Sequence, residues 1–119
     1  MADYRKLRVW DRSTKLAVTV FKIAGKARKA GHVKLADQME GSSESIGSNI
    51  AEGSAKLSQR EYKHYLETAL GSAFELETHL LIVKEQNWFP EEKINELLSM
   101  VTEEQKMVSV LISRIRLDA

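Results

Sequence analysis

Apolar positions recur every three or four residues in four long stretches of the chain, the spacing of amphipathic helices rather than the alternation of strands. In the first, over about residues 7–30, Trp10, Thr14, Ala17, Val20, Phe21, Ala24 and Ala27 trace one face, and Gly31 supplies a stop. In the second, over 34–53, Leu35, Met39, Ser42, Ile46 and Ile50 form the stripe, and Gly53 reads as the left-handed residue past the helix end. Ser58-Gln59-Arg60-Glu61 has the form of a capping box that opens a third helix over 59–86. Its stripe is Tyr62, Leu66, Ala69, Ala73, Leu76, Leu80 and Val83. Asn87-Trp88-Phe89 breaks the pattern, and Pro90 with Glu91 and Glu92 suits the first turn of a fourth helix over 90–116. Ile94, Leu97, Val101, Val108, Leu111 and Ile115 carry that helix, while Glu104 and Gln105 interrupt it midway and predict a polar layer or a bend. Four helices with short connections predict an all-α fold: a single antiparallel up-down-up-down four-helix bundle spanning 1–119.

Composition narrows this picture. A chain of 119 residues suits one hydrophobic core. One proline and few β-branched runs favour helix throughout. With no cysteine, neither a disulfide framework nor a thiolate metal site can form. The opening MADYRKLRVWDR has no hydrophobic signal core, and no apolar run approaches the roughly 18 residues of a bilayer span. The expectation is a cytoplasmic protein without a membrane partner.

The second helix is unusual. Its end, SIGSNIAEG over 45–53, holds two glycines, two serines and an asparagine where a helix interior favours alanine or leucine. Each substitution of this kind weakens a helix by a few tenths to about 1 kcal/mol, so something must offset it. Close approach of another helix is the expected offset, with Ser43, Ile46, Gly47, Asn49, Ile50 and Gly53 as the packing positions. A catalytic reading of Ser45, Ser48, Asn49 and Glu52 lacks a histidine base nearby in sequence, and amides within a helix cannot cradle an anion. Asn49, beside the core, requires a hydrogen-bonding partner.

Leu7-x-Val9-Trp10, Ser45-Ile46-x-x-Asn49-Ile50-Ala51-Glu52-Gly53, and Tyr62-x-x-Tyr65-Leu66-x-x-Ala69-x-Gly71-Ser72 with Glu75-x-Glu77 together resemble a known family. It is that of the four-helix bundle proteins encoded in intervening sequences of bacterial 23S ribosomal RNA genes, related to the accessory variability determinants of diversity-generating retroelements. The resemblance covers nearly the whole chain. It implies a bundle assembled into a ring-shaped homopentamer with no established enzymatic activity. For the retroelement relatives it implies nucleic-acid binding through basic surface and association with a reverse transcriptase. Tyr62 and Tyr65 stand where the family often has phenylalanine.

Charge supplies the main functional signal. Residues 1–34 carry ten Lys and Arg against two Asp, although the whole chain is only +1. Arg8, Arg12, Lys15, Lys22, Lys26 and Lys29 follow helical spacing on a side of the first helix away from its apolar stripe, a row about 30 Å long. Such a row can bind RNA or DNA through phosphates without reading sequence. The rival roles are a merely solvated face and docking onto the acidic helices of a neighbouring subunit or a partner protein. Apolar residues beside the core stripes, Leu70, Phe74 and Leu81 on the third helix and Leu98, Met100 and Met107 on the fourth, are candidate oligomer contacts.

Other chemistry finds little support. A carboxylate-bridged metal site in a bundle needs two Glu-x-x-His pairs, and Glu61-x-x-His64 is the only one. Glu75 and His79 suit a surface hydrogen bond. Helical nucleases of the HEPN type place four to six residues between Arg and His, whereas Arg28 to His32 and Arg60 to His64 enclose three. No motif calls for a cofactor or metal, and the expected function is non-enzymatic. The leading expectation is an oligomeric bundle that binds RNA or DNA through the first helix; the alternative is an assembly or protein-interaction scaffold.

Overall fold

A computed structural model describes residues 3–117; the outermost ends of the expected 1–119 domain lie outside the described residues. After a short 3₁₀ turn at Tyr4–Lys6, four helices follow: α1 Arg8–Lys29, α2 Val33–Ser54, α3 Gln59–Gln86 and α4 Glu91–Ser113. They form a rod about 50 Å long in which the backbone of α1 runs close to α2 and α4, that of α3 close to α2 and α4, and the diagonal pairs stand farther apart across one shared core. This is the four-helix bundle that the periodicity predicts, with α4 ending at Ser113 rather than near 116.

The helix ends show which local signals acted. Gly31 adopts φ +96°, and the amides of His32 and Gly31 donate to the carbonyls of Ala27 and Arg28 at 2.9 and 3.0 Å, which closes α1 as a Schellman motif. Asn87, at φ 58°, ends α3 in the left-handed region that asparagine tolerates. The Ser58 hydroxyl accepts from the Glu61 amide at 3.3 Å, so this half of the capping box forms. Among the described residues the reciprocal bond, from the Ser58 amide to the Glu61 carboxylate, is absent. Gly53 differs from expectation: α2 runs through it to Ser54, its φ is not positive, and it is buried against α3. Its role is packing, not capping.

The core contains the expected stripes of α2, α3 and α4, including Met39, Ile46, Leu66, Leu76, Leu80, Ile94 and Leu97. On α1 the buried face is rotated from the expected one. Val9, Ser13, Leu16, Val20, Ile23, Ala24 and Ala27 point inward, whereas Trp10 and Ala17 flank the core and Thr14 and Phe21 are exposed. Rotation buries the large aliphatic chains of Leu16 and Ile23 and requires only one hydroxyl to enter. That hydroxyl, Ser13 Oγ, donates to the Trp10 carbonyl at 2.6 Å, which removes the penalty of burying it. At the loop end of the rod, His32 stacks on Trp88 with ring centroids 3.6 Å apart, and Phe89 packs on Ala24, Ala27 and Ala36.

Candidate nucleic-acid interface and assembly surfaces

The small residues of α2 act where two helices come close. A Cβ added to Gly47 would stand 2.7 Å from Ser13 Oγ of α1, and one added to Gly53 would stand 2.7 Å from Tyr65 Cβ of α3. Neither position accepts a larger residue without displacement, and Gly47 faces α1 rather than open solvent. Ser43 is buried and donates to the Glu40 carbonyl; Ile46 and Ile50 fill the core between the contacts. Asn49 finds its partner in Ser45: its Nδ2 donates to the Ser45 carbonyl at 2.8 Å and to Ser45 Oγ at 2.9 Å. Ser45 Oγ in turn shares a 2.8 Å hydrogen bond with Ser72 Oγ of α3. The serines and asparagine thus serve as a polar tie between two helices.

The basic row is divided by the structure. Arg8, Lys22, Lys26 and Lys29 are exposed and have no ion-pair partner among the described residues, while Lys15 pairs with Asp11 on its own helix at 2.9 Å. Arg12 departs from the expected outer row: it is half-buried at the α1–α4 seam, and its Nε is enclosed without a hydrogen-bond partner. Near it on α4 lies a second orphaned group. Glu104 occupies the core position between Val101 and Val108, is 1% exposed, and has neither carboxylate oxygen hydrogen-bonded. Burial pushes its pKa up to about 8, and the positive field of Arg12 opposes that rise. The expected polar interruption of α4 is therefore a buried carboxyl within the field of a half-buried guanidinium, in an unbroken helix. Arg28, outside the expected row, forks onto both Glu40 oxygens at 2.6 and 3.1 Å and reaches Asp37 at 2.8 Å, locking α1 to α2. Those bonds, first to Glu40 and then to Asp37, hold its pKa above the ordinary arginine value.

Three cations that sequence reading left out complete the surface. Lys106 of α4 and Arg114 at its C-terminal cap face Arg8 across a groove of about 460 Å³, and Lys93 faces Lys22 and Lys26 across a smaller one of about 210 Å³. Both grooves lie along the α1–α4 seam. No periodicity argument on one helix could find them, because they belong to the row only once α4 is laid antiparallel to α1.

Of the candidate oligomer contacts, Phe74 and Leu81 are 50% and 48% exposed, and Leu70 is half-buried against the core. Leu98, Met100 and Met107 likewise pack on the core edge. Ile82 extends the α3 apolar face, and Val18 with Phe21 makes a second exposed pair on α1. Phe21, expected inside, belongs to this surface. Among the described residues no three His, Asp or Glu side chains gather as a metal site requires. His79 Nε2 is 3.6 Å from Glu75 Oε1, beyond hydrogen-bond length, in place of the expected bond. No helix among the described residues is long and apolar enough to cross a membrane.

The fold and its surfaces define the class: a short antiparallel four-helix bundle with one basic seam and exposed apolar helix faces. Residues 5–110 match the 23S rRNA-intervening sequence protein family, and the chain belongs to that family. A solved structure described as a protein of unknown function from the S23 ribosomal protein family, from Bacteroides thetaiotaomicron, superposes with a TM-score of 0.83. It is 25% identical, with 87% of this chain and 97% of that one covered. No curated protein matches the chain.

Proposed function

We propose that this protein is a non-catalytic nucleic-acid-binding bundle that engages RNA or DNA through phosphate contacts along the α1–α4 seam. The observation that carries this reading is the alignment of exposed Arg8, Lys22, Lys26 and Lys29 on α1 with Lys93 and Lys106 on α4 and Arg114 at its C-terminal cap. No ion pair among the described residues engages these seven cations, whereas Lys15 and Arg28 are already paired and Arg12 lies near the buried Glu104. Phosphate binding displaces counterions and needs cations of this kind. The test is charge reversal: Lys22→Glu, Lys26→Glu and Lys29→Glu combined should weaken binding to mixed-sequence RNA or DNA by at least about tenfold while helix content stays unchanged. Unaltered affinity would exclude the seam.

A second reading, assembly scaffold, is favoured by the exposed Phe74, Leu81 and Ile82 on α3. Apolar residues adjacent on one helix face are suited to a protein contact. A homo-oligomer, the ring-shaped pentamer of the resemblance, would cover this face and repeat the basic seam around its circumference, adding avidity. The two readings are compatible; the triple variant separates them, because a pure scaffold would lose assembly or nothing and would never have bound nucleic acid.

A further inference from the structure

Resting on the nucleic-acid reading above, we infer that the larger seam groove receives an unpaired nucleotide, so that the ligand is single-stranded rather than duplex. The groove is not only cationic. Its floor is apolar, built from Leu7 of the entry turn and Met107, Val110 and Leu111 of α4, while Arg8, Lys106 and Arg114 stand on its rim. A ligand made of phosphates alone would satisfy the rim and leave the floor wet, including Val110, which is 47% exposed. A nucleotide carries both complements on one scaffold: a flat, weakly hydrated base and an anionic linkage on the sugar.

Size and path agree with this assignment. About 460 Å³ lies within the range of sites that take a small organic group. A duplex keeps its bases stacked inside two backbones and can offer the groove only phosphate oxygens, whereas single strands splay bases onto protein surfaces. The floor has no aromatic ring, but the polarizable Met107 thioether and the branched chains around it give a sequence-tolerant surface for any base. Some 14 residues along α1, or about 21 Å, the second groove presents Lys22, Lys26 and Lys93, with Glu96 beside them. Its cations would hold the backbone of the same strand as it leaves the first. Glu103 is the one acidic group at the larger groove, against three cations, so the local charge favours an anion.

The experiment measures fluorescence anisotropy of the full chain with a labelled mixed-sequence RNA of about a dozen nucleotides, alone and annealed to its complement. The wild type should bind the single strand about tenfold more tightly than the duplex, the scale of burying about 55 Å² of apolar surface. Val110→Gln places an uncharged polar amide on an exposed position of the floor and should lower single-strand affinity toward the duplex level, with little loss for the duplex because no seam charge changes. Val110→Ser, which only trims the floor, should act in the same direction. Equal affinity of the wild type for both forms, or an equal loss for both forms in the Val110 variants, would overturn the inference while the basic seam stands. Binding of neither form by the wild type removes the nucleic-acid reading itself.

Discussion

Gly53 of α2 and Tyr65 of α3 approach so closely that a Cβ on the glycine would stand 2.7 Å from the tyrosine Cβ. Because both atoms are fixed to backbone, no rotamer change can make room, and a Gly53→Ala variant must push α2 and α3 apart. The expected loss is about 1–3 kcal/mol, in spite of the better helix propensity of alanine, and it is read as a lower urea midpoint. Gly41 is the control. Nothing lies within 4 Å of the Cβ it would carry, so Gly41→Ala should raise stability by up to about 1 kcal/mol. If both alanines shift the midpoint in the same direction, the close-packing account of the small residues is wrong.

Glu104 predicts an unusual pH dependence. In the unfolded chain its carboxyl ionises near 4.5, and in the folded bundle burial holds the proton up to about 8. Across that window the unfolded state releases a proton that the folded state keeps, so stability falls as pH rises from 4.5 to 8 and recovers on acidification. The contribution is on the order of a few kcal/mol. Glu104→Met should flatten this slope and raise stability at pH 8, since it leaves no carboxyl to desolvate. Denaturation midpoints from pH 5 to 8.5 for the two proteins check it, and parallel curves would refute the assignment.

Phe89 closes the loop end of the bundle over Ala24, Ala27 and Ala36. Its removal takes a ring from the outer side of this alanine cluster. Phe89→Ala should cost about 2 kcal/mol, below the loss for a fully buried ring because the side chain is half-buried. Thermal unfolding followed by circular dichroism measures the change.

Salt dependence counts the phosphate contacts. If all seven seam cations engage a single strand, log affinity should fall against log salt with a slope near −5, at about −0.7 per contact. Losing Lys22, Lys26 and Lys29 should bring the slope near −3. Where the triple variant binds at all, a slope identical to that of the wild type would place the contacts elsewhere.

Assembly is tested by mass. Phe74→Glu with Leu81→Glu puts two charges on the exposed α3 face and should reduce the native mass to the 13.5 kDa of one chain. A wild type that is already 13.5 kDa in solution would remove the assembly reading.

Four helices, their order and nearly all their boundaries follow from local rules, because a three-four period, a Gly31 stop and a Ser58 cap act within a few residues of themselves. The small residues of α2 also announced close packing, since their loss of helix propensity demands an offset. Which face of α1 turns inward was not legible: Trp10 and Phe21 on one stripe compete with Val9, Leu16 and Ile23 on another, and the choice rests on what α2 and α4 present. The same holds for Arg12, whose spacing assigns it to the outer row but whose side chain lies half-buried near Glu104, about ninety residues away in sequence. Lys93, Lys106 and Arg114 join the basic surface for the same cause. Periodicity reports only the energy of a segment with itself and with solvent, whereas the seam is made by the electrostatics and packing of two segments that first meet when the bundle closes.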